Sequence, residues 1–225
     1  MKTVTTPFLP NAMSEDIESA SDEDPQLSAD QRSELLRLAR TTLTTYLERG
    51  CIPDYETTDP ALNRQAGVFV TLWTIPTMTL SPDSPAECPE SPALALKFRG
   101  CMGHTPADLP LCEAVQQVTI TTATADPRVW PLKLEELPHT LIEISILSPL
   151  RRLTDLNQLQ IGRHGLLIIQ GGRRGLLLPE VASRSGWDQF EFLDNVCLKA
   201  SLPPDSWPEA DLYIFTTEKF GEAIN

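Results

Sequence analysis

Leu141-Ile142-Glu143-Ile144-Ser145-Ile146-Leu147 alternates without a break: Ile142, Ile144 and Ile146 fall on one side of an extended chain, Glu143 and Ser145 on the other. A period of two with β-branched apolar positions reads as a strand with one apolar face. Upstream, Gly67 to Trp73 is rich in Val, Phe and Thr and reads as a second strand, and Ala93 to Phe98 as a third. Between these two lies Pro76 to Pro92, with prolines at 76, 82, 85, 89 and 92. Each proline lacks a backbone donor, so the stretch is an inserted loop and not an element of the sheet.

The helical signals are interleaved with these strands. Ser28 with Gln31 three positions on forms a capping box, and Leu35, Leu38, Ala39, Leu43, Tyr46 and Leu47 recur at helical spacing until Gly50. Leu109 to Ala125 carries both signals. Leu111, Ala114, Val115 and Val118 suit a helix, while Val118 to Thr122 is β-branched; helix is the favoured reading. Downstream, Gly165–Ile169 and Gly175–Leu178 flank Gly171-Gly172 as a hairpin. Asp188 and Glu191 cap a helix with Trp187 stapled to Phe192 and a stripe of Phe190, Leu193, Cys197 and Ala200; Asp211 to Thr217 closes the chain as a strand. Mixed helices and strands without βαβ alternation define an α+β class.

The chain has 225 residues, a hydrophobic fraction of 41% and a formal net charge of -13. That suffices for one large domain or two lobes, and it argues against a general nucleic-acid or anionic-membrane binder, since like charges repel. Seven carboxylates and no Lys or Arg lie between Ser14 and Gln31, so residues 1–27 read as a disordered acidic arm, with order from 28 to 225. No apolar run spans a bilayer and the N-terminus has no secretory signal. Five scattered cysteines (Cys51, Cys88, Cys101, Cys112, Cys197) without a C-x-x-C pair point to a reducing compartment, the cytoplasm.

An ordered series of segments is distinctive. It runs through Leu36-Arg37-Leu38-Ala39-Arg40, Gly67-Val68-Phe69-Val70-Thr71-Leu72, Phe98-Arg99-Gly100-Cys101-Met102-Gly103 and Asp126-Pro127-Arg128. It continues through Glu143-Ile144-Ser145-Ile146-Leu147, Gly162-Arg163-His164-Gly165-Leu166, Leu178-Pro179-Glu180-Val181-Ala182, Gly186-Trp187-Asp188 and Leu198-Lys199-Ala200-Ser201-Leu202-Pro203. The series resembles the AMMECR family, whose hallmark is a Leu-Arg-Gly-Cys-Ile-Gly hexapeptide, from about Ser28 to the C-terminus. Phe98 and Met102 stand in place of its Leu and Ile, Glu180 in place of a usual Gln, Ser201 in place of a usual Gly, and the 76–92 insertion is longer than usual. The resemblance implies an antiparallel sheet flanked by helices in a larger lobe, a smaller α/β lobe, and a cleft near the hallmark. It also implies an association with Memo-like and radical S-adenosylmethionine proteins (the AmmeMemoRadiSam system), and it does not deliver a reaction.

The chemistry centres on Arg99-Gly100-Cys101-Met102-Gly103-His104, expected as a turn at the end of a strand. Gly100 and Gly103 permit close backbone approach and an anion-binding nest; a thiol beside Arg99 and His104 acquires a lowered pKa and becomes a nucleophile. The plainer reading is a glycine-shaped turn with Cys101 filling a small core space. Cys101 and His104 have C-x-x-H spacing but no second short-spaced pair, so no metal is expected, and no cofactor motif is present. Arg151, Arg152, Arg163, Arg173 and Arg174 with His164 form a local positive patch that seats a small anion, or else a solvated hairpin. Asp126 and Arg128 bind substrate or make a Pro-centred turn with a local ion pair. Two hypotheses follow. In one, Cys101 is the catalytic nucleophile, Arg99 and Arg163 orient an anionic substrate, and Glu143 or His164 moves protons. In the other, the protein binds a ligand or partner without catalysis.

Overall fold

The structure, a computed structural model, describes residues 26–75 and 96–223. The Pro-rich insertion and all but the last two residues of the acidic arm lie outside them. The chain forms two compact units: Leu150–Ile214, and the residues on either side, described from 26 to 149 and from Phe215 onward.

In the larger unit, α1 (Ala29–Arg49) starts at the expected capping box, with the Ser28 and Gln31 side chains each accepting the other's backbone N–H. It ends at Gly50, whose φ of 70° is left-handed. After the short α2 (Pro60–Asn63) come β1 (Val68–Thr74), β2 (Lys97–His104), α3 (Leu111–Ala125) and β3 (Thr140–Leu147). The helical reading of α3 holds despite its β-branched run. Thr119, Thr121, Thr122 and Thr124 each donate the hydroxyl to the carbonyl four residues back, which satisfies groups that otherwise favour non-helical backbone. β1 brings Val68, Val70 and Leu72, and β3 brings Ile142, Ile144 and Ile146, against Leu35 and Leu43 of α1 and Leu111, Val115 and Val118 of α3. Leu27, assigned by sequence to the arm, is buried in this core, and its N–H is held by Glu218.

In the smaller unit, β4 (Arg151–Arg152), β5 (Gly165–Gln170) and β6 (Arg173–Leu177) precede α4 (Pro179–Ser185), α5 (Gln189–Lys199) and β7 (Asp211–Phe215). The order across its sheet is β4-β7-β5-β6, and β5–β6 is the expected hairpin. α5 begins at the Asp188–Glu191 capping box. Its buried stripe is Phe192, Leu193, Val196 and Cys197; Phe190 does not join it and is exposed, touching Trp207 instead. Two residues apart, positions 190 and 192 cannot share one helix face, and the core selected the latter. Gly175 lets α5 approach β6, for a Cβ there would lie 2.6 Å from the Ala200 nitrogen.

The expected closing strand Asp211–Thr217 is β7, two residues shorter, and a further strand follows it that the sequence reading did not include. β7 stays in the smaller unit's sheet, whereas β8 (Thr217–Gly221) pairs with β3 in the larger one, completing an antiparallel sheet of order β2-β1-β3-β8. Arg32 and Arg40 of α1 pair with Glu218 and Glu222, fastening β8 and its continuation to the helix. Eight helical residues rise about 12 Å and four strand residues about 13 Å, so the two ion pairs match in spacing. Among the described residues no helix is long and apolar enough to cross a membrane.

Candidate functional site

The Arg-Gly-Cys segment is not a turn. All of it lies inside β2, where Gly100 faces Leu72, Cys101 faces Thr71 and Gly103 faces Phe69. Arg99 is the extra residue of a bulge, because Trp73 pairs with Phe98 and Leu72 with Gly100. Gly100 sits beside it with φ 144°, where a Cβ would come within 3.0 Å of the Thr122 carbonyl oxygen of α3. Gly103 is required for a different reason: the Phe69 ring lies over it, 2.3 Å from where a Cβ would stand. An extended ladder replaces the expected anion-binding nest. Cys101 and His104, three residues apart on a strand, point to opposite faces, and His104 pairs with Asp108.

Cys101 is held through its main chain. Its N–H donates to Oδ2 of Asp126 (2.8 Å), and its carbonyl accepts from Arg128 (2.5 Å). Asp126 caps the C-terminus of α3 with a side chain wholly removed from solvent; Arg128 reaches it through the backbone N–H, Nε and a terminal nitrogen at 3.0, 2.9 and 2.7 Å. The Asp126-Pro127-Arg128 turn is therefore a clamp across the strand bearing the hallmark. Arg128 hydrogen bonds hold the Asp126 carboxyl far below the usual carboxylate range, outweighing its burial.

At Cys101 Sγ stands the Thr71 hydroxyl, which donates at 3.2 Å. Burial pushes the thiol pKa up, and the Thr71 hydrogen bond and Arg128 oppose that push without reversing it. This overturns the expected lowering by Arg99 and His104. Arg99 is directed elsewhere: its Nε and a terminal nitrogen grip Glu136 at 2.8 and 2.9 Å, and it donates to the carbonyls of Trp130 and Pro131. Glu136 is correspondingly lowered, first by the Arg99 hydrogen bonds.

Glu143 shares the sheet face of Cys101, since Thr71 pairs with Cys101 on one side and Glu143 on the other. Two strand spacings, about 10 Å, separate them. Its carboxylate meets Lys219 of β8 at 3.3 Å. Arg163 and His164 belong to the smaller unit. Arg163 is exposed, while His164 is buried and accepts the Gln160 N–H at Nδ1 (3.1 Å). The arginine patch is partly engaged: Arg152 pairs with Asp211 and Arg173 donates to the Ser201 carbonyl. The larger unit thus gathers Gly100, Cys101, Gly103, Asp126 and Arg128, with Glu143 farther along the same sheet. Sequence reasoning missed Thr71, Glu136 and Lys219. Thr71 was detectable as the polar residue between Val70 and Leu72, but its partner depended on register.

A family model described as AMMECR1 matches residues 36–220. Protein MK0488 of Methanopyrus kandleri is 36% identical over 206 residues, covering 88% of this chain and 91% of that protein. Protein PH0010 of Pyrococcus horikoshii is 37% identical over 198 residues, covering 84% of this chain and 88% of that protein. The crystal structure of uncharacterized protein PH0010 matches with a TM-score of 0.70 and 36% identity, over 84% of this chain and 90% of that one.

Proposed function

The chain belongs to the AMMECR1 family, and on that premise we propose that it is a non-catalytic, cytoplasmic binding component that engages a partner or a small anionic ligand. Memo-like and radical S-adenosylmethionine proteins are the partners suggested by the family resemblance. The observation that carries the non-catalytic part is the state of Cys101. Its thiol is favoured in the protonated form by burial, the group against its sulfur is a hydroxyl donor and not a base, and its backbone is clamped by Asp126 and Arg128. A nucleophilic thiol needs the opposite environment. Arg99 and Arg128 are already occupied by carboxylates and carbonyls, so their first role here is to shape the surface.

The competing reading, an enzyme with Cys101 as nucleophile on a small anionic substrate and Glu143 or His164 moving protons, is separated by two measurements. Iodoacetamide is expected to alkylate Cys101 more slowly than the exposed Cys51, and Cys101→Ser is expected to retain fold, partner co-purification and cellular function. Selective fast alkylation of Cys101, together with loss of function in a folded, partner-binding Cys101→Ser protein, overturns the binding reading.

A further inference from the structure

α5 turns one face to the core of the smaller unit and carries large apolar side chains on the other. Among the described residues, Phe190 and Leu198 are, after Trp130, the large apolar side chains most open to solvent, at 58% and 55%. Eight residues apart, they stand on one flank of the helix about 12 Å from each other. Asp194 lies between them, four residues from each. The flank continues off the helix. The Trp207 ring, packed on the smaller unit's core, lies 6.2 Å from that of Phe190, and the Asp205 N–H donates to Oδ1 of Asp194 at 3.1 Å. Aromatic and apolar groups of this size, grouped on one exposed surface, are what protein partners cover.

The charge on this surface has one sign. Glu191 and Asp205 are exposed and Asp194 is half-buried. Glu191 accepts the Asp188 N–H and Asp194 the Asp205 N–H, while no ion pair among the described residues engages either of them or Asp205. Three carboxylates without a counter-charge thus border Phe190, Trp207 and Leu198. Lys199, at the last position of α5, and Arg173, bonded to the Ser201 carbonyl, bound the surface at its C-terminal end.

We infer that this flank of α5 docks a basic amphipathic helix of a partner protein. Apolar side chains two turns apart on that helix meet Phe190 with Trp207 at one end and Leu198 at the other. Lys or Arg between and beside them meets Glu191, Asp194 and Asp205. The charge selects the occupant: an acidic segment is repelled, and a neutral one strips water from the carboxylates without replacing it. The inference rests on the binding reading above and adds to it the partner's chemistry and a surface in the smaller unit, with no part for Cys101.

The probe is a synthetic amphipathic peptide of about five helical turns, about 18 residues, with Leu on one face and Lys on the other, titrated into the full 15N-labelled chain. Amide shift changes are expected to concentrate at residues 190–198 and 205–207. Glu191→Gln with Asp194→Asn removes two charges and keeps both hydrogen-bond acceptors, so the capping box and the Asp205 loop stay in place. That double variant should weaken binding about tenfold, and Phe190→Ser by a similar factor of about ten. Glu48→Gln with Glu56→Gln, the same change in charge at exposed positions of the larger unit, should alter it less than about twofold. Equal weakening by the two double variants, shifts spread over the whole acidic surface, no binding, or equal binding of the peptide with Glu for Lys each overturn the inference. So do shifts at the same residues that grow with protein concentration alone, which assign the surface to a second copy. The Cys101 measurements do not involve this surface, so its failure leaves the binding reading to its own test.

Discussion

Asp126→Asn tests the clamp on the hallmark strand most directly. The substitution keeps the shape and removes the charge that Arg128 and the Cys101 N–H share. A buried hydrogen bond to a charged acceptor contributes about 1.5–3 kcal/mol, and a neutral amide oxygen retains roughly half of it. The Arg128 side chain is 57% accessible, so solvent reduces its share to about 1 kcal/mol. The expected loss is therefore about 2–3 kcal/mol at neutral pH, measured by urea unfolding followed through tryptophan fluorescence. The folded-state pKa of Asp126 is depressed, so its contribution is present above the unfolded value of about 3.9 and fades as pH falls below it. The gap between wild type and Asp126→Asn should then narrow by about 1 kcal/mol on going from neutral pH to about pH 3. A variant within about 0.5 kcal/mol of wild type at neutral pH, or a gap that stays constant into acid, refutes the reasoning.

Gly103→Ala should cost about 1–2 kcal/mol because the new methyl meets the Phe69 ring, and Phe69→Leu in the same chain should recover at least half in the same unfolding assay. Ser201 has a left-handed φ of 58°, so Ser201→Gly should stabilise by about 0.5–1 kcal/mol, read as a higher urea midpoint; an unchanged or lower midpoint contradicts a strained serine. Arg40→Met removes the ion pair to Glu222 and the hydrogen bonds to the Thr140 and Leu137 carbonyls. A loss of about 2–3 kcal/mol is expected, and a neutral effect argues that α1 does not fasten the end of β8.

Much of the fold was legible because its signals are local. Capping boxes at Ser28 and Asp188, the Gly50 stop, the Gly171-Gly172 hairpin and the alternation of Leu141–Leu147 need only the neighbouring few residues to act. The α3 helix was a closer contest, decided by threonines that bond within the helix and by one apolar face reaching the sheet. Where the signal was shared between elements, reading failed. Thr217–Gly221 went unread as a strand, because Phe220 is its only apolar side chain and its partner β3 lies 70 to 78 positions away.

By itself, then, the sequence determined the class of fold and the family membership through an ordered series of motifs, and it offered the local ion pair of Asp126 with Arg128 as one of two readings. Only the tertiary structure decided what Arg99-Gly100-Cys101 is: a bulged strand packed on Thr122, not a turn. It also decided that Arg99 serves Glu136 and the Trp130 loop while Arg128, from a distant turn, serves Cys101. The physical reason is register. Strand pairing places residues 23 to 78 positions apart within contact, and the pKa of a thiol depends on burial and on those distant neighbours, neither of which adjacency in sequence encodes.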